Sequence, residues 1–297
     1  MEPIKKLPSS KTMRVGVIGM GAVGGALYAE LRERGILTWG YDVNTTVSPN
    51  TLEDTLNHAK ILFLALPTPA RSDDDASAGD VGSGGYDLCA IHSVLREIVA
   101  ANYNFPVIMR STLSPGTTDM LYTYYDKKVA LLHCPEFLSS ASRAADTTDP
   151  GDIFLGMPRL LPTSIGDRAQ RELQILYSSH TVWLVAAVET ECVKVFCNTF
   201  YACKVHLFSQ FKRVCVAQGY NYDLIRQMML RRGWLHPMHT RVPGIDGLLG
   251  FGGACLPKDV EAMRAWSESV GIEQPAIRAV IASNNAMRAE KDTKTLD

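Results

Sequence analysis

Short apolar runs alternate with helical segments along the first half of the chain. Residues 13–19 form a β-branched run that passes directly into a stretch in which Ala, Leu and Glu recur with helical spacing. This order predicts a strand, a tight turn and a helix. Further strands are predicted at residues 38–42, 61–66, 105–110 and 129–132. Because strands alternate with helices, the pattern indicates a parallel sheet of the α/β class, and we expect the alternation to end soon after Leu155.

One long helix dominates the second half of the chain. Residues 188–218 keep helical spacing up to Gly219, a typical C-cap residue, and at 1.5 Å per residue they span about 45 Å. Apolar residues lie on more than one face of this helix, which exceeds a single buried stripe. We therefore expect it to centre a helical domain or to form a subunit interface. Shorter helices are predicted at residues 223–232, 259–270 and 274–288.

These patterns divide the chain into three parts. The polar residues 1–12 are expected to form a flexible tail, residues 13–185 an α/β domain, and residues 186–297 an all-helical domain with the long helix at its centre. The length of 297 residues agrees with two domains of roughly 150 residues each.

Composition and charge narrow the range of partners. Hydrophobic residues make up 46% and charged residues 21% of the chain, which is typical of a globular protein with a buried core. The formal net charge is −1, so there is no surplus of positive charge for a nucleic acid backbone. The longest strongly apolar run, residues 61–66, is far shorter than the roughly 20 residues that cross a bilayer. We expect neither a nucleic acid nor a membrane partner.

The N-terminus and the cysteines indicate the compartment. The N-terminal segment lacks the apolar stretch and small-residue cleavage site of a signal peptide, so we expect a cytoplasmic protein. The chain has seven cysteines, an odd number, and no two of them form a CxxC pair. Both observations argue against disulfides and structural zinc. No metal is expected.

A glycine-rich turn follows the first predicted strand. The segment GMGAVG has the G-x-G-x-x-G spacing and opens a predicted helix. Its members are Gly19, Met20, Gly21, Ala22, Val23 and Gly24. Glycines there let the backbone approach a pyrophosphate, whose charge the helix N-terminus stabilises. The context predicts a dinucleotide-binding domain, so the α/β part is expected to be a Rossmann-type doubly wound parallel sheet.

An acidic residue ends the second predicted strand. Asp42 lies 18 residues after Gly24, where a carboxylate accepts hydrogen bonds from the adenosine ribose hydroxyls. The same carboxylate repels a 2′-phosphate. The sequence therefore predicts NAD rather than NADP as the cofactor.

Two polar residues interrupt the apolar long helix. Lys194 and Asn198 are four residues apart and so share one face. An ammonium and an amide at this spacing can bind an alcohol or its developing oxyanion. A lysine on a helix is more often a solvated surface group, but the apolar surroundings favour a functional role here.

A cysteine follows a second glycine-rich segment. Cys255 precedes a predicted helix that starts near Asp259, and Lys258 is close by. A thiol in that position has nucleophilic character. An inert buried thiol is the alternative.

Polar residues also follow two of the predicted strands. Glu136 comes after one strand, and the pair Ser111 and Thr112 comes after another. The carboxyl ends of parallel strands are where open α/β sheets bind ligands. Glu136 is therefore a candidate catalytic acid, although a surface carboxylate is the more common case.

In this order, the motifs resemble those of the UDP-glucose/GDP-mannose dehydrogenase family. The resemblance extends from residue 13 to about residue 288. Besides GMGAVG, the motifs are PTP at 67–69, STLSPGTT at 111–118, PEFL at 135–138, ECVKVFCN at 191–198 and GFGGACLPKD at 250–259. The last of these is highly specific.

The resemblance implies a chemical role for the cysteine and for the pair on the long helix. The family oxidises a sugar primary alcohol to a carboxylate with two NAD, through a thiohemiacetal and then a thioester on a cysteine. Cys255 matches that cysteine. Lys194 and Asn198 match the residues that hold the reacting oxygen.

The resemblance also implies how the thioester is hydrolysed and which residues contact the ligands. Asp259 and Thr112 would position water, and Glu136 would assist its attack. Implied cofactor contacts come from Gly19, Gly21, Ala22, Val23, Gly24, Asp42, Pro67, Thr68, Thr112 and Lys258. Implied substrate contacts come from Glu136, Phe137, Leu138, Lys194, Asn198, Arg241, Phe251, Gly252 and Cys255, with Arg241 reaching the substrate of a partner subunit.

Two features depart from the family pattern. Ser140 stands where family members commonly have a second glutamate, four residues after that of PEFL. The family also has a third domain, which binds most of the nucleotide, and we expect this chain to lack it. Fewer contacts or another chain would then hold the nucleotide, or the substrate would be different.

The expected function is NAD-dependent oxidation of a nucleotide sugar at C6, with UDP-glucose to UDP-glucuronate as the leading case, in a homodimer formed through the long helix. A 3-hydroxyacid dehydrogenase of the 3-hydroxyisobutyrate type is the main alternative, because that family has this length, two domains and the same Lys-x-x-x-Asn pair. It needs no cysteine.

A non-catalytic relic that binds NAD or a partner chain is the third hypothesis. The reactive side chains that argue against a relic are Cys255, Lys194, Asn198 and Glu136.

Overall fold

The computed structural model describes residues 12–70, 85–136 and 151–289, and the chain divides into two compact units. The first unit ends at Lys194 and the second begins at Val195. This division lies inside the long helix, beyond the boundary expected at residue 185. The predicted tail, apart from Thr12, lies outside the described residues.

A seven-stranded sheet forms the centre of the first unit. Its strands β1 to β7 are Arg14–Ile18, Leu37–Tyr41, Ile61–Leu64, Val107–Met109, Leu131–His133, Ile153–Met157 and Val182–Ala186. They are arranged in the order β2-β1-β3-β4-β5-β6-β7. Strands β1 to β5 are parallel, whereas β6 is antiparallel to β5 and parallel to β7. The winding reverses at β1, so the carboxyl ends of β1 and β3 flank the crevice where such sheets bind ligands.

Helices connect the strands of this sheet. In chain order, α1 to α5 are Ala22–Glu33, Leu52–His58, Cys89–Ala100, Thr117–Tyr124 and Thr163–Leu176. Each residue of β3 is at most 1% exposed, as expected for an inner strand covered on both faces. The predicted strands are confirmed as β1 to β5, and the α/β class with them.

The expectation that the alternation ends soon after Leu155 is wrong. Strand β6, helix α5 and strand β7 continue it to Ala186 within the same sheet. The sequence of α5 is largely polar, and β7 is mostly only half-buried. Neither element therefore shows the apolar run that marks the inner strands.

The second unit is helical. Helix α6, Ala187–Ala217, is one continuous helix that begins in the first unit and continues into the second. Helices α7 to α9 are Tyr222–Arg231, Leu256–Ser269 and Pro275–Ala289. The four predicted helices are confirmed, with ends shifted by three residues or fewer.

Two apolar clusters hold the second unit together. The first contains Phe208, Cys215, Tyr222 and Val242. The second contains Ala202, Phe251 and Val260, with Val205, Leu256, Ile277, Val280 and Ile281 packed against it. Because Val242 and Phe251 belong to these clusters, the loop after α7 and the glycine segment before α8 are both anchored to the core.

Helix α6 also has an exposed row of apolar side chains, here called the apolar stripe. Its members are Val193, Phe196, Phe200, Leu207, Phe211 and Val214. At 3.6 residues per turn they lie within an arc of about 60°. They are between 37% and 62% exposed in the single chain. A contiguous apolar row of this kind is typical of a protein–protein interface.

All seven cysteines are free thiols. Cys89 and Cys255 are exposed, whereas the other cysteines are buried or partly buried. Within the described part of the chain, no helix is long and apolar enough to cross a bilayer.

Candidate active site

The glycine turn after β1 is closed on one side by packing. Gly19 has a φ of +91°, which favours glycine, and a Cβ there would lie 2.4 Å from the Ala65 carbonyl oxygen. A Cβ on Gly24 would lie 1.8 Å from the Gly19 carbonyl oxygen. Both glycines are therefore required by the fold.

The other side of the turn is open. A Cβ on Gly21 would meet nothing within 4 Å. Gly21 is the N-cap of α1 and supplies no side-chain cap, so the first turn from Ala22 and Val23 offers its backbone N–H groups outward. A helix N-terminus with space beside it suits the pyrophosphate of a dinucleotide.

Asp42, directly after β2, fixes the turn and faces the same region. Its Oδ2 accepts a hydrogen bond from the Met20 N–H at 2.6 Å, and its Oδ1 accepts one from the Asn44 N–H at 2.8 Å. Each carboxylate oxygen has a second lone pair. Asp42 can therefore hold the turn and still accept hydrogen bonds from ribose hydroxyls.

The segments after β3 and β4 are tied to each other. The Thr68 hydroxyl donates to the Thr112 carbonyl at 2.9 Å, and the Ser111 hydroxyl donates to the Leu66 carbonyl at 2.7 Å. Pro67 is exposed between them, and Thr112 is half-buried. The predicted cofactor residues Pro67, Thr68 and Thr112 thus lie together at the carboxyl ends of neighbouring strands.

Two buried side chains hold the segment 111–118 from within the unit. Glu191 accepts hydrogen bonds from the Gly116 N–H at 2.6 Å and from the N–H and hydroxyl of Thr118 at 2.7 and 2.6 Å. His133 bonds through Nε2 to the Ser111 carbonyl at 3.1 Å and through Nδ1 to the Thr190 hydroxyl at 2.8 Å. Neither Glu191 nor His133 is exposed to solvent.

Burial shifts the pKa of both groups. It raises the pKa of Glu191 to about 7, and the hydrogen bonds from Thr118 and Gly116 limit that rise. It lowers the pKa of His133 to about 3, because an imidazolium is costly away from water. His133 is therefore neutral, and because the Ser111 carbonyl can only accept, the ring proton lies on Nε2.

Glu136 is paired with a buried arginine. The Arg110 guanidinium forms an ion pair with the Glu136 carboxylate and donates to the Cys134 Sγ at 3.2 Å. Burial alone would lower the pKa of Arg110, but Glu136 and Cys134 raise it, so the guanidinium stays charged. The Lys194 ammonium donates to the Glu136 carbonyl. Two of the predicted motifs, PEFL and ECVKVFCN, therefore meet at Glu136, whereas Phe137, Leu138 and Ser140 lie outside the described residues.

In the second unit, Asn198 and Lys258 both contact one carboxylate. The Asn198 Nδ2 donates to Asp259 at 2.5 Å, and the Lys258 ammonium lies 2.6 Å from the same carboxylate. The Asp259 side chain is 1% exposed. A carboxylate held in this way by an amide and an ammonium can orient a hydrogen-bond donor such as water.

Cys255 is exposed at the start of α8. It is the N-cap residue, and its carbonyl accepts the Asp259 N–H at 2.9 Å. The preceding Gly253 has a φ of +77° and open space beside it, whereas Gly252 is closely packed and the Phe251 side chain is 3% exposed. The thiol is thus accessible, as a nucleophile must be.

Arg241 lies between two anchored residues. The Thr240 carbonyl accepts from the Tyr222 hydroxyl at 2.9 Å and from the Arg226 Nε at 3.1 Å, and Thr240 is fully buried. Val242 belongs to the apolar core. Arg241 itself is exposed between these two buried neighbours.

Sequence reasoning missed several polar residues that hold this site. Arg110, His133 and Glu191 carry no local signal, because each bonds to groups far away in the sequence. The available hint was that Glu191 is the first residue of the motif ECVKVFCN and that Arg110 directly precedes STLSPGTT.

The strand order, the glycine turn at the point where the winding reverses, and Asp42 define a dinucleotide-binding protein of the Rossmann class. Residues 46–160 match the NAD binding domain, and residues 188–286 the central domain, of the UDP-glucose/GDP-mannose dehydrogenase family. The chain belongs to this family. The resemblance drawn from the motifs is thereby confirmed, and NAD is the cofactor of the matched first domain.

Individual relatives are similar over much of the chain. UDP-glucose 6-dehydrogenase of Pseudomonas aeruginosa is 25% identical, with 79% of this chain and 50% of that protein covered. GDP-mannose 6-dehydrogenase of the same organism is 27% identical, with 92% of this chain and 68% of that protein covered. A solved UDP-glucose dehydrogenase from Pyrobaculum islandicum shares the fold with a TM-score of 0.78 at 21% identity, covering 96% of this chain and 71% of that one. The chain thus spans between about half and two thirds of the length of these curated relatives.

Proposed function

We propose that the chain acts as an NAD-dependent nucleotide-sugar 6-dehydrogenase. The observation that carries this proposal is the exposed Cys255 at the start of α8, followed one turn later by the buried Asp259 with its Asn198 and Lys258 partners. A nucleophilic thiol is needed only when an alcohol is oxidised beyond the aldehyde. The motif therefore favours a four-electron oxidation to a carboxylate.

The covalent chemistry belongs to the cysteine. NAD, when bound, supplies the acceptor for each of the two hydrides. The Cys255 thiolate adds to the aldehyde carbon, and the carbonyl oxygen takes up a proton to give a thiohemiacetal. Loss of a hydride from that carbon and of the hydroxyl proton leaves a thioester. Water then attacks the thioester carbonyl, the carbon–sulfur bond breaks, and the carboxylate and Cys255 thiolate are released.

The remaining side chains hold oxygen atoms and water. Lys194 and Asn198, one turn apart on α6, are proposed to bind the substrate oxygen and to stabilise its negative charge. Asp259 and Thr112 are proposed to position the hydrolytic water. Glu136, which forms an ion pair with Arg110, is proposed to accept a proton from that water as the water attacks.

UDP-glucose is the proposed substrate, with UDP-glucuronate as the product. Relatives named for UDP-glucose and for GDP-mannose both align with this chain, so the base and sugar are matters for experiment. We propose a homodimer formed through the apolar stripe, in which Arg241 reaches the partner's substrate. The free thiols agree with a reducing compartment such as the cytoplasm.

The decisive experiment counts NADH. With UDP-glucose, the wild-type chain is expected to form two NADH per sugar. Cys255→Ser should slow the second oxidation by about a hundredfold or more, because serine has no accessible anion at neutral pH. Cys89→Ser, the other exposed cysteine, is the matched control and should behave as wild type.

The same assay discriminates the alternatives. A 3-hydroxyacid dehydrogenase would act on 3-hydroxyisobutyrate, form one NADH per molecule and tolerate Cys255→Ser. A non-catalytic relic would form no NADH with any substrate. One NADH per UDP-glucose, unaffected by Cys255→Ser, would refute Cys255 as the nucleophile.

A further inference from the structure

A single side chain of α9 holds the backbone of Phe251. The Asn284 Oδ1 accepts a hydrogen bond from the Phe251 N–H at 2.8 Å, and its Nδ2 donates to the Phe251 carbonyl at 3.1 Å. Asn284 is 2% exposed. Because an unpaired buried polar group is costly, both bonds are maintained together and act as a clamp.

Side chains of α9 also fill the space beside two glycines of this segment. A Cβ on Gly250 would lie 2.5 Å from the Asn284 Oδ1, and a Cβ on Gly252 would lie 2.5 Å from the Arg288 Cζ. Arg288 is itself held by an ion pair with Asp246 at 2.5 Å. Gly250, which also has a φ of +77°, is thus required by the fold of the second unit, whereas a Cβ on Gly252 would displace the Arg288 guanidinium.

Helix α6 fixes the segment from another side. The Ser209 hydroxyl accepts from the Gly250 N–H at 2.9 Å and donates to the Val205 carbonyl at 2.8 Å. Ser209 is fully buried. The Phe251 ring packs in the cluster with Ala202. The backbone of residues 250 and 251 is therefore held by side chains of two helices.

Cys255 lies between two anchored points. Phe251 is the first, and Leu256, which packs against the same apolar cluster, is the second. Between them, Gly253 has a φ of +77° and no neighbour that a Cβ would meet. Residues 253–255 are exposed, so the position of the thiol depends on the anchored residues before it and on the helix after it.

We propose that Asn284 is a positioning residue for Cys255: by clamping the Phe251 backbone to α9, it determines where the thiol stands at the start of α8. The inference rests on the proposed function, in which Cys255 is the nucleophile. Asn284 acts through Phe251 and the glycine segment rather than on the reacting atoms. The clamp couples the last helix of the described chain to the reactive thiol.

The first test measures the thiol directly. Asn284→Ala is compared with Asn285→Ala, its exposed neighbour on α9. Alkylation of Cys255 by iodoacetamide is followed by peptide mass spectrometry, with the exposed Cys89 of the first unit as internal reference. We expect Asn284→Ala to raise the Cys255 rate relative to Cys89 by about threefold or more, because the segment is loosened. Asn285→Ala should leave the ratio unchanged.

The second test measures turnover. With UDP-glucose and NAD, Asn284→Ala should lower kcat by about tenfold or more while the KM for NAD changes by less than about twofold, since a misplaced nucleophile affects chemistry more than cofactor binding. Asn284→Asp retains the side-chain volume and the acceptor for the Phe251 N–H but loses the donor. It should show the same changes to a smaller extent, and it replaces the alanine variant if that variant does not fold.

The outcomes separate this inference from the proposed function. An alkylation ratio at the wild-type value in the folded Asn284 variants overturns the clamp, whether or not the protein turns over. A wild-type protein that forms no NADH overturns the proposed function, while the alkylation comparison still decides the role of Asn284.

Discussion

Single residues of the glycine turn differ in what they would tolerate. Gly24 contacts the backbone of Gly19, so a methyl group at position 24 would clash with the Gly19 carbonyl oxygen. Gly21 has open space beside it, and its φ of −70° is one that any residue adopts. The fold thus requires glycine at position 24. At position 21 we expect only ligand binding to require it.

This contrast predicts opposite results for two matched alanine variants. Gly24→Ala should destabilise the protein by about 1–3 kcal/mol, because the backbone must shift to relieve the clash. Gly21→Ala should change the free energy of unfolding by less than about 0.5 kcal/mol. It should nevertheless weaken NAD binding by about tenfold or more, because the methyl group occupies the pyrophosphate position. Urea unfolding and calorimetric titration with NAD measure the two effects, and undiminished NAD binding by Gly21→Ala would contradict the location of the site.

Buried polar residues are the part of the site that the sequence hides. Lys194 and Cys255 could be singled out because each stands in an unusual local context, an apolar helix or a glycine segment. Asn284 and His133 could not be, because their partners, Phe251 and Ser111, are distant in the sequence. Their function depends on contacts that exist only after folding.

At the scale of elements, α6 combines two roles on different faces. Lys194 and Asn198 lie roughly 120–160° around the helix axis from Phe200, the most exposed member of the apolar stripe. One side of the helix therefore carries the proposed oxygen-binding pair, and the opposite side is left uncovered in the single chain. Other apolar residues of α6, such as Val195, Ala202 and Phe208, are buried, which explains why the sequence pattern showed apolar residues on more than one face.

The uncovered face predicts how the dimer can be broken. Phe200→Glu places a charge at the centre of the stripe and should convert a dimer into a monomer at micromolar concentration, because burying an unpaired carboxylate is costly. Val216→Glu is the matched control, since Val216 is 37% exposed and lies about 160° around the same helix. Light scattering with size-exclusion chromatography distinguishes the two. A wild-type protein that is monomeric under these conditions would rule out the proposed dimer.

The helices and strands could largely be predicted where the sequence has a long apolar run or a sustained helical periodicity. Strand β3 is four consecutive buried apolar residues, and α6 keeps its periodicity for 31 residues. Helix α5 and strand β7 were missed because both are only partly covered and so remain polar along much of their length. The antiparallel strand β6 was equally hidden, since strand direction depends on the connection and not on local pattern.

At the scale of the whole molecule, the residues named in the proposed mechanism are divided between the two units. The cofactor turn and Glu136 belong to the first unit, and Cys255, Asn198 and Asp259 belong to the second. The family and cofactor follow from motifs in both parts of the sequence. The substrate does not, because the chain spans half the length of a relative that is named for UDP-glucose.

The two buried side chains that hold residues 111–118 bind protons differently in the folded and the unfolded chain. With its pKa lowered to about 3, His133 lacks in the folded state a proton that the unfolded chain binds below pH 6.5. Its contribution to stability is therefore lost as the pH falls from 6.5 towards 3. With its pKa raised to about 7, Glu191 holds a proton that the unfolded chain releases above pH 4.5. Its contribution is lost as the pH rises from 4.5 towards 7.

Unfolding free energies measured across pH should reveal these opposite slopes. Below pH 6.5, the free energy of unfolding of the wild type should fall by about 1.4 kcal/mol per pH unit relative to that of His133→Gln. Above pH 4.5, it should fall by a similar amount per pH unit relative to that of Glu191→Gln. Differences that do not vary with pH would contradict both assignments. Between pH 4.5 and 6.5 the proton taken up on unfolding by one side chain matches the proton released by the other. Over that interval, the combined contribution of these two residues to the free energy of unfolding does not change with pH.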